Sequence, residues 1–469
     1  MNWKTHHWVL LLGGGAIALG LTFAAAKLDG TVHTGAAYKA KVACSEVFLA
    51  GRERETVLKN EFENIDPFLN YVRIELNDAE QHVTANGPLG FGLSRAVYRN
   101  GYGCTLQNKK PIAPLPAIAP VASEPWDEAK TASAQRLNNV DYDALNRTIN
   151  EAFNDNPLNH RALLVAVDGK IVAEHYADEF SQETPFASWS MAKSVTATIL
   201  GAAVMRGLVD IDDPAPVPEW RSDPKRSAIT WNNLLQMQSG LDFDEDYGGT
   251  QSDVNRMLFH APSAGGYAAD KPAIHSPGEH WAYSSGTTNV VARALRRVLE
   301  DAGTNYHEFA RETLYGPIGA ASIIMETDAS GSSIGSSYIY ATARDWARLG
   351  ELYLRGGEWN GERLLPKDWP AYVATPAKAA DNQYGAHFWL NRAGENGRAQ
   401  FLPGLPEDLY FMSGHEGQFV FIIPARNMVI VRTGIIRGEP PLAPLAPLIT
   451  SIYEAVGELD DNVRATPAQ

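Results

Sequence analysis

The sequence has no run of basic residues. Its 40 lysines and arginines are outnumbered by 55 aspartates and glutamates, and the formal net charge is -15. Surfaces that bind nucleic acids are usually strongly basic, so this composition disfavours such a partner. Signatures of bound groups are also missing, because the chain has no His-Glu-x-x-His motif, no glycine-rich phosphate loop and no dinucleotide fingerprint. We therefore expect neither a catalytic metal nor a cofactor.

Long apolar runs are scarce as well, with one exception near the N-terminus. Residues Trp8 to Ala26 carry no charge and follow Lys4. These nineteen residues could span a bilayer once, and Ala24-Ala25-Ala26 resembles a signal-peptidase site. The pattern leaves a cleaved signal peptide and a retained membrane anchor both open. In either case we expect the rest of the chain to be exported, either periplasmic or anchored in the cytoplasmic membrane and facing outward.

Cysteine is the rarest residue, with 2 copies in 469 positions. Both copies, Cys44 and Cys104, lie in the N-terminal part of the chain. An oxidising compartment would let them form a disulfide, and the alternative is a pair of buried free thiols. Closing a loop of that length would contribute about 4 kcal/mol in the chain-entropy model. We predict the disulfide.

Composition divides the chain into four segments. Lys109 to Trp126 contains five prolines among small residues, which favours extended chain and predicts a semi-rigid linker. Before it, residues 27–108 predict a small mixed domain with a helix over Glu46–Asn60. Residues 1–26 form the signal or anchor, and residues 127–465 form the larger domain. The strands predicted in the small domain are Tyr71–Leu76, His82–Ala85 and Arg95–Tyr98.

The larger domain contains two predicted hairpins, one near its start and one near its end. Asp168-Gly169 stands between the apolar runs Leu163–Val167 and Ile171–His175, and both turn residues must tolerate a positive φ. Phe419–Ile423 and Met428–Val431 form the second hairpin. The segments between the hairpins have helical periodicity, and a further helix closes the chain. This arrangement predicts an α+β fold in which an antiparallel sheet has helices on each side.

One stretch organises the larger domain. It reads Ser190-x-x-Lys193, and an apolar run with a helical period follows until Gly207. This pattern places Ser190 in the first turn of a helix and Lys193 one turn further on the same face. A serine hydroxyl becomes a nucleophile when a base takes its proton, and a lysine can do so once its pKa is lowered. The bare motif is weak, since Ser222-Asp223-Pro224-Lys225 repeats it at a proline turn.

Two further motifs follow in the chain. Tyr283-Ser284-Ser285 lies in a loop before a predicted helix, and Gly414-His415-Glu416-Gly417-Gln418 enters a predicted strand. A different serine motif, Gly331-Ser332-Ser333-Ile334-Gly335, matches the nucleophile elbow of other hydrolases. That elbow needs a strand before it and a helix directly after it, and the sequence provides neither. We interpret this motif as a flexible polar loop.

The first three motifs resemble those of serine β-lactamases and penicillin-binding proteins, which are S-x-x-K, Y-x-N or S-x-N, and K-T-G or H-x-G. The stretches Trp231–Leu241, Tyr283–Leu295 and Tyr340–Gly350 resemble the class C-like branch of this superfamily. That branch includes D-aminopeptidases, family VIII esterases and 6-aminohexanoate-dimer hydrolases. The resemblance extends roughly from Ala144 to Gly457. It implies a β-lactamase-like fold, with an antiparallel sheet flanked by helices and an all-helical subdomain.

The resemblance also implies a role for each matching residue. Ser190 attacks the substrate carbonyl and is acylated, and Lys193 can accept the serine proton. Tyr283 acts with Lys193 as general acid and base. The backbone N–H groups of Ser190 and Gln418 form an oxyanion hole. Gly417 lets the substrate lie close to the strand.

Three positions depart from the usual motifs. Ser285 stands where many β-lactamases have asparagine, Glu416 replaces a threonine or serine, and His415 replaces a lysine that would hold a substrate carboxylate. We therefore expect a small or short oligomeric amide or ester as the substrate, with Ser285 and His415 in its binding site. Two other functions stay open. One is a D-alanyl-type carboxypeptidase or β-lactamase, and the other is a peptidoglycan-binding or sensor domain without turnover.

Overall fold

The computed structural model describes residues 29–107, 110–122, 126, 136–249, 251–438 and 441–458. The predicted signal or anchor at Trp8–Ala26 lies outside these residues. Within the described ranges, no helix is long and apolar enough to cross a bilayer. The membrane association and the export of the chain therefore stay predictions.

A six-stranded antiparallel sheet forms the centre of the larger domain. Its strand His160–Val167 is buried along its whole length because helices cover both faces of the sheet. Successive side chains point to opposite faces, so Leu164 packs in one hydrophobic core and Leu163 and Val165 pack in another. The predicted α+β class is confirmed. In spatial order the strands are Trp389–Leu390, Tyr410–Gly414, Gln418–Ile423, Met428–Gly434, His160–Val167 and Lys170–Tyr176.

Both predicted hairpins are present. The turn residues Asp168 and Gly169 have φ angles of 51° and 70°, as their types predict. The C-terminal hairpin, Gln418–Ile423 and Met428–Gly434, turns at Asn427, which has a φ of 43°. The two turns are in contact, because Asn427 Nδ2 donates to Asp168 Oδ1 at 2.8 Å.

Helices surround the sheet, and one of them carries the serine motif. The helix Met191–Met205 is buried from its first residue to Ala203. It ends as predicted, since Gly207 has a φ of 69° and the Leu208 N–H donates to the Ala203 carbonyl at 3.0 Å. The other α-helices described in the larger domain are Tyr142–Phe153, Trp231–Leu235, Asp253–Phe259, Ala264–Ala269, Ser285–Asp301, Tyr306–Ala310, Ala343–Leu354, Trp369–Val373 and Leu442–Glu454.

The N-terminal region differs most from the prediction. A single helix over Glu46–Asn60 is wrong, because Gly51 with a φ of 68° separates a π-helical turn at Ser45–Leu49 from the helix Arg54–Asn60. A helix at residues 29–44 precedes them and was not predicted. The three predicted strands are present, and a fourth completes their sheet. These strands are Arg73–Asn77, His82–Asn86, Ser94–Arg99 and Gly103–Leu106.

The predicted disulfide is present and lies at the junction with the larger domain. Cys44 is bonded to Cys104, which ties the end of the 29–44 helix to the last strand of the small sheet. Beside this bond, Lys41 forms a buried ion pair with Glu326 of the larger domain. Glu326 also accepts the Cys104 N–H at 2.5 Å. Side chains of both regions belong to one hydrophobic core.

The proline-rich stretch follows the surface of both regions. Residues 110–122 contain no helix or strand, in agreement with the predicted extended chain. The Tyr102 hydroxyl donates to the Pro116 carbonyl at 2.7 Å, and the Ala113 N–H donates to the Ala329 carbonyl at 2.8 Å. The stretch is therefore held by contacts at both sides of the junction.

The loop Gly331–Gly335 is not a flexible polar loop, as the sequence analysis expected. All of its residues are buried, and Asp328 accepts the N–H groups of Ser330 and Ser332 at 2.9 and 3.1 Å. The next helix begins only at Ala343. The loop thus lacks the geometry of a nucleophile elbow and serves as packing.

Candidate active site

Ser190 stands at the N-terminus of the Met191–Met205 helix, as predicted. The segment before it is fixed by two hydrogen bonds, because Ser188 N–H donates to the Ile339 carbonyl at 2.7 Å and Ser188 Oγ accepts the Ile339 N–H at 3.0 Å. Trp189 then adopts a φ of 42°, a strained conformation that costs roughly 1–3 kcal/mol. Such strain persists only where the surrounding structure imposes it, so the position of Ser190 is well defined.

Lys193 lies one helical turn beyond Ser190 and is fully buried. Its Nζ donates to Ser190 Oγ and Ser285 Oγ, each at 3.0 Å, and to the Ser336 carbonyl at 3.2 Å. Burial lowers the pKa of Lys193 from 10.5 to about 8, although the negative charge of Glu245 opposes this shift. An amine with such a pKa is partly neutral near physiological pH and can accept a proton from the serine.

Tyr283 completes the set of predicted catalytic side chains. The Lys193 Nζ lies 4.7 Å from the centre of its ring, and Tyr283 and Ser190 line the same cavity. Burial raises the pKa of Tyr283 well above its ordinary value, while the polar Ser190 side chain nearby lowers it. Tyr283 is therefore a neutral phenol at rest and is able to donate a proton.

Glu245 is a carboxylate of the site that the sequence analysis missed. It accepts the Ser285 N–H at 2.8 Å and the Ser285 hydroxyl at 2.5 Å. Burial raises the pKa of Glu245, and the positive charge of Lys193 lowers it. The Ser285 hydroxyl accepts a hydrogen bond from Lys193 and donates one to Glu245, so it connects the two charged groups. Ser285 is fully buried. The structure does not place the Ser285 hydroxyl on the cavity surface, where a substrate ligand was expected.

The third motif meets the nucleophile at a turn of the central sheet. Gly414 packs closely on the backbone of Ser188. A Cβ at position 414 would lie 2.2 Å from the Ser188 carbonyl oxygen. The His415 ring stacks on Tyr247 with centroids 5.9 Å apart. It also meets Trp189 edge to face at 5.5 Å. The structure thus brings His415 to the site, next to the residue that precedes Ser190.

Gly417 and Gln418 follow on the same turn. Neither is among the described residues that line the cavity beside Ser190. The carbonyl of Gly417 accepts a hydrogen bond from Arg432 at 2.7 Å, and the Gln418 amide is bonded to the Gly434 backbone at 2.6 and 3.1 Å. The substrate contact of Gly417 and the oxyanion role of the Gln418 N–H both stay predictions.

A cavity of about 560 Å³ opens beside Ser190. Aromatic rings form much of its wall, and Tyr283 lies there with its ring centroid 5.4 Å from that of Trp389. Two lining residues come from the N-terminal region. The described lining residues are Asn64, Ile65, Ser190, Tyr247, Tyr283, Trp389, Ser413, Gly414, His415, Glu416, Ile436, Arg437, Gly438 and Pro441.

The arrangement of Ser190, Lys193 and Tyr283 agrees with a comparison of the whole chain with known families. Residues 160–446 match the family model described as Beta-lactamase, which is more than half of the chain. The chain belongs to the beta-lactamase family. This match confirms the predicted superfamily. It also confirms the prediction that the protein is a hydrolase related to the serine β-lactamases.

Relatives of this beta-lactamase family member include hydrolases with other names. The 6-aminohexanoate-dimer hydrolase of Paenarthrobacter ureafaciens is 29% identical over 225 residues, which are 44% of this chain and 55% of that protein. The chain thus spans about half the length of this curated relative.

Two solved structures are similar in fold. A penicillin-binding protein homologue from Caulobacter crescentus has a TM-score of 0.52 and 19% identity, with 67% of this chain and 97% of that chain covered. A family VIII carboxylesterase has a TM-score of 0.51 and 16% identity, with the same coverage of 67% and 97%. At these identities the two structures concern the fold alone. The family match shows that this fold is β-lactamase-like.

The site residues outside the three motifs had weak signals in the sequence. Glu245 lies in an acidic run, Asp242-Phe243-Asp244-Glu245-Asp246, of the kind that usually marks a solvated loop. The available signal was the pair of aromatic residues in and after that run, Phe243 and Tyr247, which indicate partial burial. Ile65 and Arg437 had no motif, because their role depends on how the N-terminal region packs.

Proposed function

We propose that this member of the beta-lactamase family cleaves an ester or amide bond through an acyl-enzyme on Ser190. The observation that carries the proposal is the 3.0 Å contact between the buried Lys193 Nζ and Ser190 Oγ. Because the pKa of Lys193 is lowered to about 8, the amine can accept the serine proton. Ser190 also begins a helix, whose N-terminal end favours the negative charge that develops on the substrate oxygen.

The same side chains account for both halves of the reaction. As Ser190 Oγ bonds to the carbonyl carbon, its proton passes to Lys193 Nζ and a tetrahedral oxyanion forms. Collapse of this intermediate expels the alcohol or amine, which takes a proton from Tyr283, and Lys193 then reprotonates the tyrosinate. A water attacks the acyl-enzyme with the same groups acting in the reverse direction. The acid leaves, and Ser190 regains its proton.

We also propose that the substrate is a neutral amide, short oligoamide or ester. His415 stands in place of a fixed cation, and Arg437 is the one lysine or arginine on the described cavity wall. Arg437 is already engaged, with Nε bonded to Glu416 Oε1 at 2.9 Å and Nη2 bonded to the Glu61 carbonyl at 2.8 Å. The described wall therefore offers no unpaired guanidinium or ammonium to the carboxylate of a β-lactam or D-alanyl peptide. The name of the curated relative supports an amide.

A covalent probe and a chromogenic ester test this function. A fluorophosphonate should label Ser190, and Ser190→Ala should abolish both the labelling and the hydrolysis of p-nitrophenyl esters. Ser222→Ala removes the other serine of a Ser-x-x-Lys pattern and should change neither. Labelling that persists in Ser190→Ala would contradict the proposal, and turnover of nitrocefin near the diffusion limit would favour a β-lactamase instead.

We further propose that the protein acts outside the cytoplasm. The bond between Cys44 and Cys104 supports this location, because disulfides persist mainly in oxidising compartments. The uncharged run Trp8–Ala26 supports it as a signal or anchor. N-terminal sequencing and fractionation of cells that produce the full chain should find either cleavage near Ala26 or an intact chain in the membrane fraction. A full-length cytoplasmic protein with two free thiols would contradict the proposal.

A further inference from the structure

The cavity beside Ser190 is not built by the catalytic domain alone. Asn64 and Ile65 line it, although they lie outside the matched residues 160–446. Asn64 has a φ of 56°, a left-handed conformation that asparagine tolerates better than most residues. Ile65 follows this turn and is one of the few large apolar side chains that are exposed, at 39%. An exposed apolar side chain in the wall of a substrate cavity needs a physical explanation.

Arg437 holds this segment against the catalytic domain. Its Nη2 donates to the carbonyls of Glu61 at 2.8 Å and Asn60 at 3.4 Å, and its Nη1 donates to the carbonyl of Glu63. Its Nε donates to Glu416 at 2.9 Å. Glu416 lies in the turn that also carries His415 of the site. One guanidinium thus joins the backbone of the 60–63 segment to the third motif.

A buried ionic cluster fixes the same segment from its other side. The Glu61 carboxylate pairs with Arg52 of the N-terminal region and with Arg161 of the central sheet. The side chains of these three residues are 8%, 4% and 10% exposed, respectively. Breaking such a buried pair leaves an uncompensated charge, which is strongly unfavourable. Ile65 is therefore presented by a segment with a defined position rather than by a free loop.

We propose that Ile65 is a specificity residue that forms, with Ile436 and Pro441, an apolar subsite for the hydrocarbon part of the substrate. All three residues line the cavity. The neighbouring charges of Arg437 and Glu416 neutralise each other, so an aliphatic chain can cover this surface without stranding an unpaired ion. This inference rests on the proposed hydrolase function and specifies its substrate class. That class is esters or amides with an aliphatic segment of several carbons.

Two series of esters test the subsite. In one series the acyl chain of p-nitrophenyl esters grows from acetyl to octanoyl, and in the other the alcohol of an acetate ester grows from ethyl to octyl. The wild type should prefer the longer chains in one series, and Ile65→Ala should lower the ratio of kcat/KM between the longest and shortest members by about 10-fold. Leu89→Ala truncates another apolar side chain of the N-terminal region, which is 97% exposed and not among the described lining residues, and should keep the wild-type ratio.

The outcomes separate this inference from the function on which it rests. A wild type without a chain-length preference, or an Ile65→Ala variant with the wild-type ratio in both series, would overturn the subsite while turnover of the acetyl ester shows an intact hydrolase. Absence of both fluorophosphonate labelling and ester turnover in the wild type would overturn the proposed function and the subsite with it. The series that responds identifies whether the acyl or the alcohol side faces Ile65.

Discussion

Two opposite effects act on the pKa of Lys193. Burial lowers its pKa to about 8, whereas the negative charge of Glu245 raises it. Since the neutral amine is the proton acceptor in the proposed mechanism, kcat/KM for an ester should rise with pH through an apparent pKa of about 8. Glu245→Gln removes the charge and should lower the pKa of Lys193 further, so the rising limb of the pH profile should move to lower pH.

A neighbouring acid provides the control for this prediction. Asp246 is exposed and adjacent to Glu245 in the chain, so Asp246→Asn should leave the pH profile of kcat/KM where it is in the wild type. An unmoved profile in Glu245→Gln would show that the carboxylate does not influence Lys193.

The hydroxyl of Tyr283 can be removed without its ring. Tyr283→Phe keeps the aromatic contacts with Tyr384 and Trp389 but loses the hydroxyl that we propose protonates the leaving alcohol or amine. We expect kcat to fall by about 10²- to 10⁴-fold, with a thermal midpoint close to that of the wild type. Tyr384→Phe removes a hydroxyl from the adjacent ring and should retain activity. A wild-type kcat in Tyr283→Phe would mean that another group donates the proton.

At the level of single residues, the sequence was informative where the chemistry is local. Ser190 and Lys193 share one helix turn, and Tyr283 lies just before another helix, so spacing and order selected three residues that the structure brings together. Glu245 reaches Ser285 across 40 positions. Its acidic neighbours are typical of a solvated turn, and no local pattern shows that one of the carboxylates is directed inward.

Among the structural elements, the strand end at Gly414 has a testable role. Its φ of -124° is open to any residue, so an added side chain acts by sterics alone. A Cβ would lie 2.2 Å from the Ser188 carbonyl oxygen. This contact is too short, so the strand would be pushed away from the segment that holds Ser190. We expect Gly414→Ala to lose about 1–3 kcal/mol in urea unfolding and most of its ester turnover.

The matched glycine substitution is Gly30→Ala. There the nearest atom to an added Cβ is 3.7 Å away, which is ordinary contact, so stability and turnover should stay close to the wild-type values. Full activity in Gly414→Ala would show that the nucleophile does not depend on a fixed position of this strand.

The predicted elements succeeded where turn residues and periodicity agree. Asp168-Gly169 and Gly207 were correctly interpreted because their conformations are set by a few adjacent residues. The helix predicted over Glu46–Asn60 failed at Gly51, where the left-handed conformation outweighs the helical preferences of the flanking residues. The helix at residues 29–44 is largely buried and contacts Phe259 and Glu326 of the larger domain, and no sequence pattern shows partners so distant in the chain.

For the molecule as a whole, the disulfide should contribute to stability. Cys44 and Cys104 are separated by 60 positions, and loss of this cross-link should cost about 4 kcal/mol in the chain-entropy model. The double variant Cys44→Ala/Cys104→Ala should therefore unfold at lower urea concentration than the wild type. Dithiothreitol should destabilise the wild type and leave the double variant unchanged. Equal urea midpoints would show that the contacts around Lys41 and Glu326 suffice.

Composition identified the proline-rich stretch, but it could not show that the regions before and after this stretch pack against each other. The ion pair of Lys41 and Glu326 and the common hydrophobic core join the two regions. Tyr38 of the 29–44 helix lies with its ring stacked toward Trp189, centroids 6.4 Å apart. These contacts join residues that lie far apart in the chain. The sequence predicted a separate small domain and did not indicate such contacts.

The wall contributed by Asn64 and Ile65 has a consequence for how substrate preference can evolve. Homologues that retain the same serine, lysine and tyrosine but carry a different N-terminal extension would present other side chains to the cavity. Selection can then alter which compounds are hydrolysed through mutations in the 5′ part of the gene, far from the codons of the reacting groups. Chimeras that exchange this extension between relatives would transfer selectivity and leave the chemistry untouched.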